Sequence, residues 1–152
     1  MAAIITPEHP ASQDASALIA ELDAHLEPLY PSASRHGFSV QKLIADAVAF
    51  FVVREDGEAA GCGGIKLFGT EYGEIKRMYV RPQFRGRGLA RLMLDHLTAY
   101  ARSQGIGILR LETGIHQRAA IRLYEQVGFR RISPFAGYRD DPVSRCYEKP
   151  IG

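Results

Sequence analysis

One unit of this chain limits its fold more than any other, the run from Tyr72 to about Ser103. "YGEIKRMYV" reads as a strand, and Pro82 stops it because proline has no N–H for the next ladder bond. "RPQFRGRG" follows as a turn. From Gly88 onward Leu89, Leu92, Met93 and Leu97 recur at helical spacing, predicting a helix to about Ser103 with one apolar stripe. A strand that feeds a helix through a short turn needs a sheet to pack against, so the chain builds layers of both kinds.

The flanking sequence supplies the rest of those layers. "AIIT" is a short strand, and Leu18, Ile19, Leu22, Leu26 and Leu29 predict a helix that Pro28 and Pro31 bring to an end. "YPSASRHGF" is a loop and "VQKLIADAV" a second, short helix. "AFFVVRE" and "EAAGCGGIKLF" flank Asp56-Gly57, a pair that adopts positive φ readily and so marks a hairpin. Downstream, "GILRLET" is a strand, "RAAIRLYEQV" a helix closed by Gly128, and "FRRIS" and "SRCYEKP" are strands. The predicted order is β-α-α-β-β-β-α-β-α-β-β. That is an α/β chain with a central mixed, mostly antiparallel sheet flanked by about four helices, in one domain over residues 1–152.

Charge matters here only where it clusters. The 152 residues carry a net charge of +2, too little to suggest a nucleic-acid or membrane-surface binder. Yet no acidic residue occurs from Ile75 to Leu94, a stretch that holds Arg77, Arg81, Arg85, Arg87 and Arg91. Cys62 and Cys146 lie far apart without metal-ligand spacing and read as free thiols, which suits a reducing cytosol. "MAAIITPEHP" lacks the basic start and apolar run of a signal peptide, and no segment approaches the roughly 20 apolar residues of a membrane span. The expected location is the cytoplasm, with no metal, nucleic-acid or membrane partner.

A strand, a basic glycine turn and a helix together make an anion site. The first N–H groups of a helix have no partners within it and lie at the positive end of its dipole. Gly86 and Gly88 let an anion approach where a Cβ would block it. The turn is not a phosphate-binding loop of the Gly-Lys-Ser/Thr kind, nor a dinucleotide fingerprint. Taken alone, "RGRG" also fits a solvated, arginine-rich helix start.

The wider context is more specific. "MYVRPQFRGRGLARLML" resembles the coenzyme-A-binding segment of the Gcn5-related N-acetyltransferase (GNAT) superfamily, Arg/Gln-x-x-Gly-x-Gly/Ala, with Arg85, Gly88 and Ala90 at its three defined positions. "AAIRLYEQVGF", Ala119 to Phe129, resembles the family's A-x-x-L-Y-E-x-x-G-F block. The resemblance implies the family fold, acetyl-CoA as cofactor and acetyl transfer to a primary amine, with a small molecule such as an amino acid as acceptor. A protein or peptide acceptor, or a non-catalytic sensor that binds coenzyme A, are the alternatives. Family members are often dimers, so a homodimer is also implied.

The same resemblance distributes roles. The backbone from Arg85 through Gly86, Arg87, Gly88 and Leu89 to Ala90 would hold the pyrophosphate, with Arg85 and Arg87 either reaching phosphate or simply solvated. Met78, Tyr79 and Val80 would bind the pantetheine arm as an added strand does. Tyr124 sits where the family's general acid lies. Glu74 corresponds to the base of some members, although a strand carboxylate paired with Lys76 is an equal reading, and Glu112 competes for the role. Gln117 stands where many members have asparagine against the pantetheine. Tyr30, Arg35 and His36 from one loop, and Tyr138 and Arg139 from "PFAGYRDDP", would wall the acceptor site, where arginines suit a carboxylate. His25 and His96 read as surface or core histidines.

Overall fold

The computed structural model describes residues 2–35 and 38–152, so the expected acceptor contact His36 lies outside the described residues. The strands are β1 Ala3–Pro7, β2 Ala49–Glu55, β3 Glu58–Phe68, β4 Tyr72–Val80, β5 Ile108–Gly114, β6 Arg130–Ile132 and β7 Ser144–Pro150. They form one sheet in the order β1-β2-β3-β4-β5-β7-β6. Every neighbouring pair is antiparallel except β4 and β5, which run parallel. The helices are α1 Gln13–Leu26, α2 Val40–Ala45, α3 Leu89–Ser103 and α4 Arg118–Gln126. The predicted order and the mixed sheet both hold.

Strand β2 shows why the sheet is covered twice. Phe50 and Val52 turn to a core shared with Leu18 and Leu22 of α1 and Leu43 of α2. Phe51 and Val53 turn the other way, onto Met93 and Leu97 of α3 and Tyr124 of α4. A strand buried on both faces reads as an unbroken apolar run, as "AFFVV" does. Asp56 at φ 51° and Gly57 at φ 83° close the β2–β3 hairpin as expected.

The apolar stripes differ slightly from the sequence expectation. On α3, Leu92 is exposed, and Leu94 and Ala101 join Leu89, Met93 and Leu97 in the core. Leu97 has no exposed surface, so Leu97→Ala would cost about 2–5 kcal/mol. Helix α1 stops at Leu26, and Leu29 is exposed because the chain has already left the helix before Pro31. Helix α2 ends at Ala45, since Ala47 turns at φ 52° to bring Val48 into the core.

Two irregularities position the site. Cys62 pairs with Tyr79 and Gly64 with Lys76, leaving Arg77 and Met78 opposite Gly63 alone, a bulge in β4. Arg77 adopts φ 57°, a conformation that costs a non-glycine residue on the order of 1–3 kcal/mol. Beside it, β4 and β5 pair only at Gly73 with Leu109 and Glu74 with Arg110. Beyond those pairs the strands part. Among the described residues no helix is long and apolar enough to cross a membrane.

Candidate active site

The parting of β4 and β5 leaves a gap in the sheet, because β5 stays paired to β7 from Ile108 to Gly114 while its other edge loses β4. Two connected spaces open there. The larger is a groove of about 490 Å³ between the end of β4 and the start of α4. Met78, Tyr79 and Val80 line it from the strand, Arg85, Gly86 and Gly88 from the turn, and Leu89 and Ala90 from α3. Gln117, Leu123 and Tyr124 face them from the other side.

Gly86 and Gly88 have φ near +79° and +78°, and nothing lies within 4 Å of where a Cβ would stand on either. Gly88 caps α3 without any side-chain bond, so the first N–H groups of that helix lack acceptors. The open cradle, the uncapped amides and Arg85 and Arg91 beside them suit a polyanion. Arg85 Nε donates to the Val80 carbonyl at 2.9 Å, which ties the turn to the strand end. Arg87 faces away: its Nη1 donates to the buried Glu55 Oε2 at 2.6 Å, and it lines no part of the groove.

The second space is a cavity of about 110 Å³ under the loops that follow α1 and β6. Tyr30 is buried in its wall, so close to Gly114 that a Cβ there would fall 2.1 Å from the ring. Its hydroxyl accepts from His116 N at 2.9 Å, pinning the 30–35 loop to the turn before α4. Ser34 donates to Asp141, which joins the two loops across the cavity, and Arg35 stands exposed at the mouth. Tyr138 also lines it, donating to Glu74 Oε2 and accepting from Lys76 Nζ at 2.6 Å. Glu74 is 3% exposed, pairs with Lys76 at 3.1 Å and does not line the cavity. Glu112 does line it, with the Ser144 hydroxyl donating to its Oε2 at 2.6 Å. Leu22, Met78, Gln117 and Tyr124 belong to both spaces, so groove and cavity meet at Tyr124.

This arrangement has relatives. The profile of the Acetyltransferase (GNAT) family matches residues 16–129. The chain belongs to the GNAT acetyltransferase family. It is 41% identical to an IAA acetyltransferase of Azospirillum brasilense over 149 residues, 97% of each chain. A Klebsiella pneumoniae protein described as an acyl-CoA N-acyltransferase has the same fold at TM-score 0.84 and 40% identity, covering 99% of this chain and 98% of that one. A GNAT acetyltransferase of Elizabethkingia anophelis, solved with acetyl-CoA bound, shares the fold at TM-score 0.72 and 16% identity, with 97% of both chains covered. As the two motifs imply, this chain is an acetyl-CoA-dependent acyltransferase.

Electrostatics divide the acetyltransferase's polar groups into those that can exchange a proton and those that cannot. Burial pushes the Tyr124 phenol well above its ordinary 10, so it stays protonated at neutral pH. Its hydroxyl makes no hydrogen bond to the described residues, leaving it free for a ligand. The Tyr138 phenol rises further, through burial first and then the charge of Glu74. Burial lowers Lys76 despite its carboxylate partner. Cys62 is pushed up to about 12 by burial, an inert thiol.

The wall of this second cavity also holds Arg77, which the motifs did not flag. Its only signal lies in "EIKRMYV": Ile75, Met78 and Val80 share a face, so one step is three residues and the next two. That broken alternation is the bulge. His25 and His116 line the groove, and exposed Arg139 lines neither space. No group of His, Cys, Asp and Glu among the described residues could hold a metal ion.

Proposed function

We propose that this acetyltransferase moves an acetyl group from acetyl-CoA to the primary amine of a small molecule such as an amino acid. The observation that carries this reading is the junction at Tyr124, where an amine in the cavity would meet a thioester brought along the groove. A space of about 110 Å³ suits a small acceptor better than a protein surface. The bound coenzyme supplies an acetyl group already activated as a thioester.

The residues then divide the work. Gly86, Gly88 and the first amides of α3 hold the pyrophosphate, and Met78 to Val80 offer strand edge to the pantetheine, with Gln117 opposite. Tyr124 holds the proton that the departing sulfur needs. An amine is mostly protonated at neutral pH, so a base must take one proton from it. Glu112 suits that role because it lines the cavity, directly or through a water. Glu74 has its Oε2 engaged by Tyr138 and Lys76, and in this reading it positions both.

Thiol release from acetyl-CoA over a panel of amino acids, polyamines and other small amines, with IAA added, tests the acceptor class. On the best substrate, Glu112→Gln lowers kcat about 100-fold with coenzyme affinity unchanged. Full activity in Glu112→Gln alongside a large loss in Glu74→Gln would return the base role to Glu74.

A further inference from the structure

The bulge residue Arg77 is charged, almost fully buried and short of acceptors. Its side chain is 2% exposed, and only Nη2 is engaged, donating to Ile19 O at 3.2 Å and Asp23 Oδ1 at 2.6 Å. Nε is buried with no partner, and Nη1 makes no hydrogen bond to any described residue. Asp23 is 59% exposed, so this countercharge sits largely in water. The neighbouring cation in the same wall, Lys76, is already matched by Glu74. A guanidinium carries five donors in a planar fork, and burying it with acceptors for only one nitrogen is costly unless something else supplies them.

Three further observations say what that would be. Arg77 lines the acceptor cavity, and the β4 bulge with its positive φ aims a strand residue where regular pleating would not. Glu112 lines the same cavity from β5, on the other side of the gap. Arg35 stands at the mouth as a second cation. A cation on one strand and a carboxylate on the other match the two ends of a zwitterion. We propose that Arg77 reads a carboxylate on the acceptor, so that the substrate is an amino acid-like zwitterion with its amine toward Glu112 and its carboxylate on Arg77. This rests on the amine-acceptor reading above and narrows it.

The test compares each amino acid of the panel, β-alanine included, with its own primary amide. The amide keeps the shape and loses the charge, and its less basic amine is easier to deprotonate, so chemistry alone favours the amide. Expected for the unaltered enzyme is a kcat/KM at least about 10-fold higher for the best acid than for its amide. Arg77→Gln collapses that ratio through KM for the acid, whereas Arg35→Gln keeps most of it. An amide used as well as its acid overturns the proposal, as does a ratio unchanged in folded Arg77→Gln. Should Arg77→Gln fail to fold, Arg77→Lys decides: a KM raised for acids only supports the assignment, and unchanged values overturn it. Should no amine be acetylated, the acceptor reading itself falls. Calorimetry on the coenzyme-A-loaded protein then judges the carboxylate separately: heat with the acids and none with the amides supports it, and equal binding overturns it.

Discussion

The groove proposed for the coenzyme draws most of its lining from two stretches of the chain, one between Met78 and Arg91 and one between His116 and Tyr124. The cavity proposed for the acceptor draws on α1, the 30–35 loop, β4, β5, Gln117 and Tyr124 at α4, and Tyr138. What the groove offers a ligand is chiefly backbone: strand edge, positive φ and uncapped amides. The cavity works through side chains that reach one another only in the folded chain, such as Tyr138 with Glu74 across 64 residues. A backbone site tolerates variation in side chains but not in conformation. A side-chain site is the reverse, which makes the contrast open to mutation.

The largest effect is expected at the groove. Gly88→Val puts a β-branched side chain at φ 78° and fills the open cradle. Losing two charge-assisted bonds of about 1.5 kcal/mol each already weakens coenzyme binding on the order of 100-fold. Calorimetry with coenzyme A checks it, with circular dichroism to show the fold intact. Unchanged affinity would remove the pyrophosphate from this turn.

Tyr124→Phe comes next, because it acts where the two spaces join. The ring stays buried against Phe129, at 5.6 Å between centroids, so stability should barely move. Removing the proton donor should lower kcat about 100-fold while coenzyme affinity holds. Normal turnover would give the proton to a water or to another group.

The same contrast explains what could be read from the chain beforehand. Strands, helices and the groove were legible because each rests on local pattern: "RGRG" before an apolar stripe, Asp56-Gly57 between two apolar runs, "LYEQVGF" at a set distance. Arg87 shows the limit even there, since its pairing with Glu55 depends on a hairpin 32 residues away. Tyr30, Arg35 and Tyr138 line the cavity, but only the family resemblance pointed to them, and local pattern carried none of their partners. The Tyr30 contact with Gly114 and the partly unpartnered guanidinium of Arg77 are products of packing between distant segments.

A smaller effect separates the two spaces further. Ser34→Ala cuts the bond to Asp141 that joins the cavity's loops, worth about 1 kcal/mol. A rise of about 5-fold in acceptor KM, with coenzyme affinity unchanged, is expected from steady-state kinetics. A change in coenzyme affinity instead would mean that these loops also shape the groove.

The smallest effect compares the helices behind each space. His96 of α3 packs edge-on against Phe51 at 4.6 Å, and burial holds its pKa below the ordinary 6.5. Its folded value is the lower one, so the unfolded chain binds the proton first and stability falls as pH drops through the window just below 6.5. Near α1, Glu8 bonds to Arg54, which also pairs with Asp14 of that helix, and hydrogen bonding to Arg54 holds Glu8 below the ordinary 4.5. Its contribution is present above 4.5 and is lost only as pH falls further, toward its folded value. Urea titrations from pH 8 to 3 should therefore show two separate steps in stability, each about 1 kcal/mol or less. His96→Gln removes the upper step and Glu8→Gln the lower. If His96→Gln leaves the upper step in place, the charge that loosens the α3 face lies elsewhere, and the acid sensitivity of the two faces does not divide along the two helices.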